Sequence, residues 1–160
     1  MKGVFFLLLP VFLLQGCVST KTINVMSEEK LTGPKVIAMS GSRSAWVYEI
    51  EKRLKSSGFQ IKRMVSQNSS VEKVSDTKTD IYKEASSQYV LLIDGYAPNN
   101  SMERCFGGGY RFDYINAELI DLEKNETIFH YSNSGYSENC PPMSGTIFGD
   151  IANLAESAWQ

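Results

Sequence analysis

The sequence predicts a single α/β (α+β) domain, one mixed β-sheet of about five strands in the order β-α-β-α-β-β-β-α, with helices packed on it. Three observations predict it. Two short apolar runs, Val36-Ile37-Ala38-Met39 and Tyr89-Val90-Leu91-Leu92-Ile93, are bounded by turn residues or polar ones, the pattern of buried strands. Amphipathic segments stand beside these runs, so strand and helix alternate. Two further extended segments flank Glu123-Lys124-Asn125-Glu126 and read as a long hairpin.

The elements follow in chain order. The first strand, residues 35–39, comes after Gly33-Pro34 and stops at Ser40-Gly41-Ser42. Ser44 is placed to cap a helix over residues 45–57, where Val47, Ile50 and Leu54 share one face and Glu49, Glu51, Lys52, Arg53 and Lys55 surround it. Gly58 follows at the position that favours positive φ. Residues 59–65 alternate as a second strand, residues 66–75 are rich in Ser and Asn, and residues 76–87 space Ile81, Tyr82 and Ala85 as the inner face of a second helix. Residues 89–93 are the central strand, which Asp94-Gly95-Tyr96 continues or ends. Residues 110–122 and 127–136 form the hairpin. Residues 146–159 close the chain as a helix with Ile147, Ile151, Leu154, Ala155 and Ala158 on one stripe. Strand, helix, strand with short connections makes right-handed crossovers, so the leading strands are expected parallel and the hairpin antiparallel.

The amino terminus carries an address. Lys2 precedes an apolar run over residues 4–14, a signal-peptide core of about eleven residues. It falls short of the roughly 20 needed to span a bilayer. Leu14-Gln15-Gly16-Cys17 then resembles the bacterial lipobox. That resemblance implies a signal peptide over residues 1–16 and acylation of Cys17. Each buried methylene of an acyl chain contributes about 0.8 kcal/mol, so two or more chains anchor firmly. Residue 18 is Val and not the Asp of an inner-membrane retention signal, so the expected location is the periplasmic face of the outer membrane. Residues 17–34, polar and without period, read as the lipidated cysteine and a flexible tether. Residues 35–160 are then the periplasmic domain.

The formal net charge of −2 comes without a basic cluster, which argues against a nucleic-acid partner. With Cys17 committed to lipid, Cys105 and Cys140 remain as an even pair in an oxidising compartment, and a disulfide is expected. Loop-closure entropy values it at roughly 3–4 kcal/mol. A reactive thiol at Cys105 has neither a second histidine nor a CxxC partner to activate it. Gly107-Gly108-Gly109 beside it is no phosphate loop, because no Lys-Ser or Lys-Thr follows. If Leu122 pairs with Thr127, Cys140 falls opposite Gly109, and the glycines supply the slack that reaches back to Cys105.

Signals for chemistry are sparse. His130 is the only histidine and sits within a predicted strand. Zinc lacks ligands, and no Gly-x-Ser-x-Gly nucleophile turn occurs. Asp113, Glu118 and Asp121 are scattered along one strand as solvated carboxylates usually are. The expectation is a protein without cofactor, metal or enzymatic activity.

The hairpin holds the stronger signal. Tyr110, Phe112 and Tyr114 alternate on one face, and Phe129 and Tyr131 join them under the pairing above. Ile115, Ala117, Leu119 and Ile128 occupy the other face. Small Ala117 among aliphatics suits a helix-covered core. The aromatic face is then a candidate partner surface, since Tyr and Phe are enriched in interface cores. The alternatives are helices on both faces, or a bulge that swaps the pattern halfway.

Taken together, "KVIAM", a helix, "GFQIKR", "QYVLLIDGY" and "AELIDLEKNETIFHYSNSG" resemble the α/β domain shared by CsgG-type secretion lipoproteins, the penicillin-binding-protein activator LpoB and the amino-terminal domain of TolB. Gly58-Phe59 after the first helix and Asp121-Leu122 before the hairpin turn occupy matching places. The resemblance implies a non-enzymatic envelope role: binding a periplasmic or outer-membrane protein in assembly, secretion or peptidoglycan-synthase regulation. It lacks the long insertions with which CsgG builds a pore. An immunity lipoprotein that neutralises a periplasmic toxin is the first rival, and a small periplasmic hydrolase using the aromatic and acidic face of the hairpin is the second.

Overall fold

The computed structural model describes residues 20–63, 87–98, 100 and 104–159. Six strands form one sheet: β1 (Thr22–Val25), β2 (Val36–Gly41), β3 (Gln60–Arg63), β4 (Tyr89–Tyr96), β5 (Arg111–Asp121) and β6 (Glu126–Tyr136). Their order across the sheet is β1-β6-β5-β4-β2-β3. β2 runs parallel to β3 and β4, and the remaining pairs are antiparallel. Two helices, α1 (Val47–Ser56) and α2 (Ile147–Ser157), complete the described fold. The mixed α/β class is as the sequence predicts, with one strand more than expected. The predicted helix over residues 76–87 lies outside the described residues but for Ser87, which is not helical.

The extra strand is β1, inside the segment read as tether. It pairs with β6 from Thr22 opposite Ser132 to Val25 opposite Phe129. Beyond it the chain stays on the domain: Leu31 donates its N–H to the Ala158 carbonyl, and Lys30 reaches the Ser157 carbonyl. All four β1 residues are exposed. Thr22-Ile23-Asn24-Val25 alternates polar and apolar residues, but over four positions only and with Ile23 and Val25 left largely exposed, and pairing with a long neighbour supplies the strand.

α1 shows how local sequence sets an element. Val47, Ile50 and Leu54 are buried as expected, and Glu51 joins them. Ser44 does not cap the helix; its hydroxyl is engaged with Ser42, and Trp46 takes the first position without a side-chain cap. The carboxyl end is a Schellman motif: Phe59 N–H bonds to Leu54 C=O, Gly58 N–H bonds to Lys55 C=O, and Gly58 has φ +86°. Buried Leu54 and Phe59 provide its apolar contact. The Lys55 ammonium, 2.7 Å from Glu51, holds that carboxyl below its usual range against burial, and Arg63 of β3 adds to the effect. The stability of this pairing is present above the ordinary carboxylate pKa and is lost as pH falls through the lowered one.

Both helices lie on one face of the sheet. Phe112 of β5 meets Trp46 edge-on at 5.1 Å and Phe148 of α2 at 5.9 Å. Trp159, after α2, meets Phe59 and Tyr89 in the same manner at 5.2 and 4.9 Å. Ile37, Met39, Leu91, Ile93, Ala117 and Leu119 fill the layer between. The two helices run in the direction of β5 and against β2, β3, β4 and β6: α1 and α2 both start at the end of the sheet where β5 begins and finish at the end where β5 turns into β6.

Candidate functional site

The structure divides the predicted aromatic face. Tyr110, Phe112, Phe129 and Tyr131 are 4, 2, 1 and 0 % exposed, so they belong to the helix-covered core and not to a partner surface. The reason is two bulges in the hairpin. Phe112 pairs with Gly135 but Ile115 pairs with Asn133, so β5 carries one extra residue there. Phe112, Ile115, Ala117 and Leu119 therefore all face the helices. Ile128 is the extra residue of β6, between Leu119–Phe129 and Ile120–Thr127. The hairpin turn also starts earlier than expected, with Asp121 opposite Glu126. Buried Asp121 accepts the N–H groups of Glu123 and Lys124, which closes the chain on itself.

Tyr114 alone of the five is on the sheet face that neither described helix covers. It is 44 % exposed and stands opposite Tyr96 of β4, 56 % exposed. Leu92, 39 % exposed, lies on this face next to Glu118. Glu118 accepts a hydrogen bond from Thr127 at 2.5 Å, and His130 is the cross-strand neighbour of Glu118. Tyr96 and Leu92 escaped the sequence reading, although strict alternation along β4 carries the signal: Tyr89, Leu91 and Ile93 face one way, Leu92, Asp94 and Tyr96 the other.

A second feature lies at the end of the sheet where β5 starts. Cys105 and Cys140 form the expected disulfide, with Cα atoms 4.9 Å apart. A tight turn brings Cys105 back to the strand: Gly108 donates to Cys105 C=O, Cys105 donates to Gly109 C=O, and Gly109 donates to Asn139 C=O. The glycines serve two purposes. Gly108 takes φ +82°. Gly107 and Gly109 need space instead, because a Cβ would overlap the carbonyl oxygens of Asn139 and Glu138. Arg104 braces the turn, its guanidinium 4.3 Å above the Tyr110 ring and bonded to the Gly108 carbonyl. At the tip, Phe106 is fully exposed. A phenylalanine between a cysteine and three glycines has no neighbours in sequence to pack on, and that was the available sign.

The neighbouring polar groups anchor α2. Glu138 accepts the N–H groups of Phe148 (3.2 Å) and Gly149 (2.7 Å), the two donors that an N-cap side chain would satisfy, and pairs with Arg53 of α1 at 3.4 Å. Thr146, at the N-cap position, bonds to Asp150 instead. Lys21 reaches Asp150 at 2.8 Å, and the Tyr131 hydroxyl donates to Asp150 while accepting from Asn133. Burial pushes the Tyr131 hydroxyl well above the phenol range, so it stays a donor. Glu138→Ala is expected to lower the unfolding free energy by about 1–2 kcal/mol by orphaning two helix donors, and Glu138→Gln by less. Urea midpoints of the two variants at neutral pH check the ranking.

Cys17 lies outside the described residues. Among the described residues, no group of three His, Cys, Asp or Glu side chains could hold a metal ion, and no helix is long and apolar enough to cross a membrane. No protein-family model matches the chain, and no curated protein matches it. Solved structures with a similar course include the PelC dodecamer from Paraburkholderia phytofirmans, at 14% identity and TM-score 0.40 over 87% of this chain and 95% of that one. A point variant of the same dodecamer aligns at 12% identity and TM-score 0.41, over 87% and 94% of the two chains.

Proposed function

We propose that this chain is an outer-membrane lipoprotein, anchored through Cys17, whose domain binds a protein partner in the periplasm and performs no catalysis. The observation that carries the binding reading is the Tyr96–Tyr114 pair, exposed side by side on the sheet face opposite the helices. Tyrosine offers large contact area with a polar tip and little conformational entropy to lose. The anchoring reading is supported by the leader and by Leu14-Gln15-Gly16-Cys17. The disulfide fits an oxidising compartment.

Two measurements test the two halves. Full-length Cys17→Ser is expected to move from the membrane fraction to the soluble fraction; retention in membranes would refute the anchor. A photo-reactive phenylalanine analogue replacing Tyr114 is expected to trap one discrete protein in intact envelopes, and Tyr96→Arg in the same chain is expected to abolish that adduct. Absence of any protein adduct, or an adduct indifferent to Tyr96→Arg, rejects this face as the binding surface.

A further inference from the structure

The disulfide joins two exposed loops into one tip. Phe106 projects from the first loop, and Pro141, Pro142 and Met143, the last 56 % exposed, form the second. The loops touch closely, since a Cβ on Gly107 would meet Pro141. Fully exposed Phe106 buries nothing within the domain, yet it is held in place by a covalent clasp, a braced arginine and three glycines. Around the tip lie Arg104, exposed Arg111 and Lys21, with Asp113 the acid among the residues that line the adjoining groove.

The path of β1 fixes where this tip points. β1 is antiparallel to β6, with Thr22 opposite Ser132, so residues before Thr22 head toward Tyr136 and Cys140. Lys21 is already pinned to Asp150 and lines one groove with Arg111, Tyr136 and Met143. From Lys21 to Cys17 the chain has four residues, which reach about 14 Å when fully extended. β5 alone, with 11 residues, is about 35 Å long. The direction of β1 therefore carries a lipidated Cys17 toward the clasp end and away from the far end of the sheet, so a domain standing on its anchor turns the clasp end to the bilayer. The far end also has an acidic excess that an anionic lipid surface disfavours, with Glu28, Glu29, Glu123 and Glu126 exposed there against Lys30 and Lys124.

We infer that the disulfide-stapled tip of Phe106, Pro141, Pro142 and Met143 rests on the phospholipid surface to which Cys17 is anchored. An aromatic ring at headgroup depth with arginines around it is the chemistry of interfacial contact. The tip orients the domain, so that the Tyr96–Tyr114 face stands across the membrane plane and not against it. This inference rests on the lipoprotein reading.

The test uses the full-length acylated protein in vesicles of phosphatidylethanolamine and phosphatidylglycerol, with and without brominated acyl chains. Phe106→Trp and Leu122→Trp place reporters at the two ends of the sheet, both at exposed sites where folding does not depend on the side chain. Emission from Trp46 and Trp159 is common to both and is subtracted with the wild type. Bromine is expected to quench the added emission at position 106 at least about twofold more than at 122, as for an aromatic ring at the interface. Equal quenching, or none at 106, overturns the orientation while flotation and an acylated Cys17 leave the anchor standing. A protein that does not float, with no acyl mass on Cys17, overturns both. A photo-reactive analogue at position 106 that captures protein and not lipid in intact envelopes also overturns the membrane contact.

Discussion

Trp46→Ala is expected to lower the stability of the domain by about 3–5 kcal/mol, the range for removing a buried large aromatic side chain. Trp46 is 1 % exposed and sits at the start of α1, where it joins elements that are distant in sequence. Its ring meets Phe112 of β5 edge-on, and Phe112 in turn meets Phe148 of α2. Below it is Gly95 of β4, where a Cβ would come within 3.2 Å of the indole. A glycine in a strand interior ordinarily weakens the strand; here it is the seat of the ring. Alanine at position 46 would leave a cavity bordered by strand backbone that cannot collapse. Trp46→Phe, which keeps an edge-to-face partner for Phe112, is expected to cost about 1–2 kcal/mol. Guanidinium unfolding followed by far-ultraviolet circular dichroism, with the slope of the transition compared between variants, measures both. A loss below about 1 kcal/mol for Trp46→Ala would contradict a packed indole at this site.

Legibility in the sequence followed the strength of the local signal. α1, α2, β2, β4 and the hairpin each combine a clear period with a punctuating residue such as Gly41, Gly58 or Asn125, and they fold close to where the pattern puts them. The pairing of Cys105 with Cys140 followed from counting cysteines, on the expectation of an oxidising compartment. β1 carries only a four-residue alternation, Thr22-Ile23-Asn24-Val25, inside a polar segment, too short to stand out from a tether, and its strand conformation is completed by pairing with β6. The aromatic face was misread for a subtler reason. Side-chain orientation in a strand has a period of two, so a single inserted residue turns every later side chain to the opposite face. The bulge between Phe112 and Ile115 does this in β5. It brought Phe112 into the core with Ile115 and left Tyr114 outside, and no residue at 113 or 114 announces it. The site residues the sequence missed, Phe106 and Tyr96, are exposed apolar side chains. Alternation along β4 puts Tyr96 on the face opposite Leu91 and Ile93, but that the face is left open there, and that Phe106 stands at a tip, depends on what surrounds them in space.

Removing the disulfide is expected to lower stability by about 3–4 kcal/mol and the melting temperature by about 10–15 °C. The clasp joins residues 35 positions apart, Cys105 to Cys140, so reduction returns the whole hairpin to an open chain in the unfolded state. The native state loses little, because backbone bonds already hold the hairpin ends together. Ser137 donates its N–H to Tyr110 C=O, the Ser137 hydroxyl accepts from Tyr110 N–H, and Gly109 donates to Asn139 C=O. The loss should therefore appear mainly through the unfolded ensemble. Far-ultraviolet circular dichroism of the Cys105→Ala/Cys140→Ala double variant at 25 °C should match the wild type, while its denaturant midpoint falls and its slope rises as the uncrosslinked chain exposes more surface. Alanine avoids placing a serine hydroxyl at buried position 140. A melting temperature within about 3 °C of the wild type would show that the clasp constrains the unfolded chain far less than its loop length implies. A collapse of the native spectrum on reduction would instead make the disulfide a condition for forming the hairpin ends. Between these outcomes the tip carrying Phe106 would remain folded but lose its covalent staple, so the same variant also separates the stability of the domain from the rigidity of its exposed end.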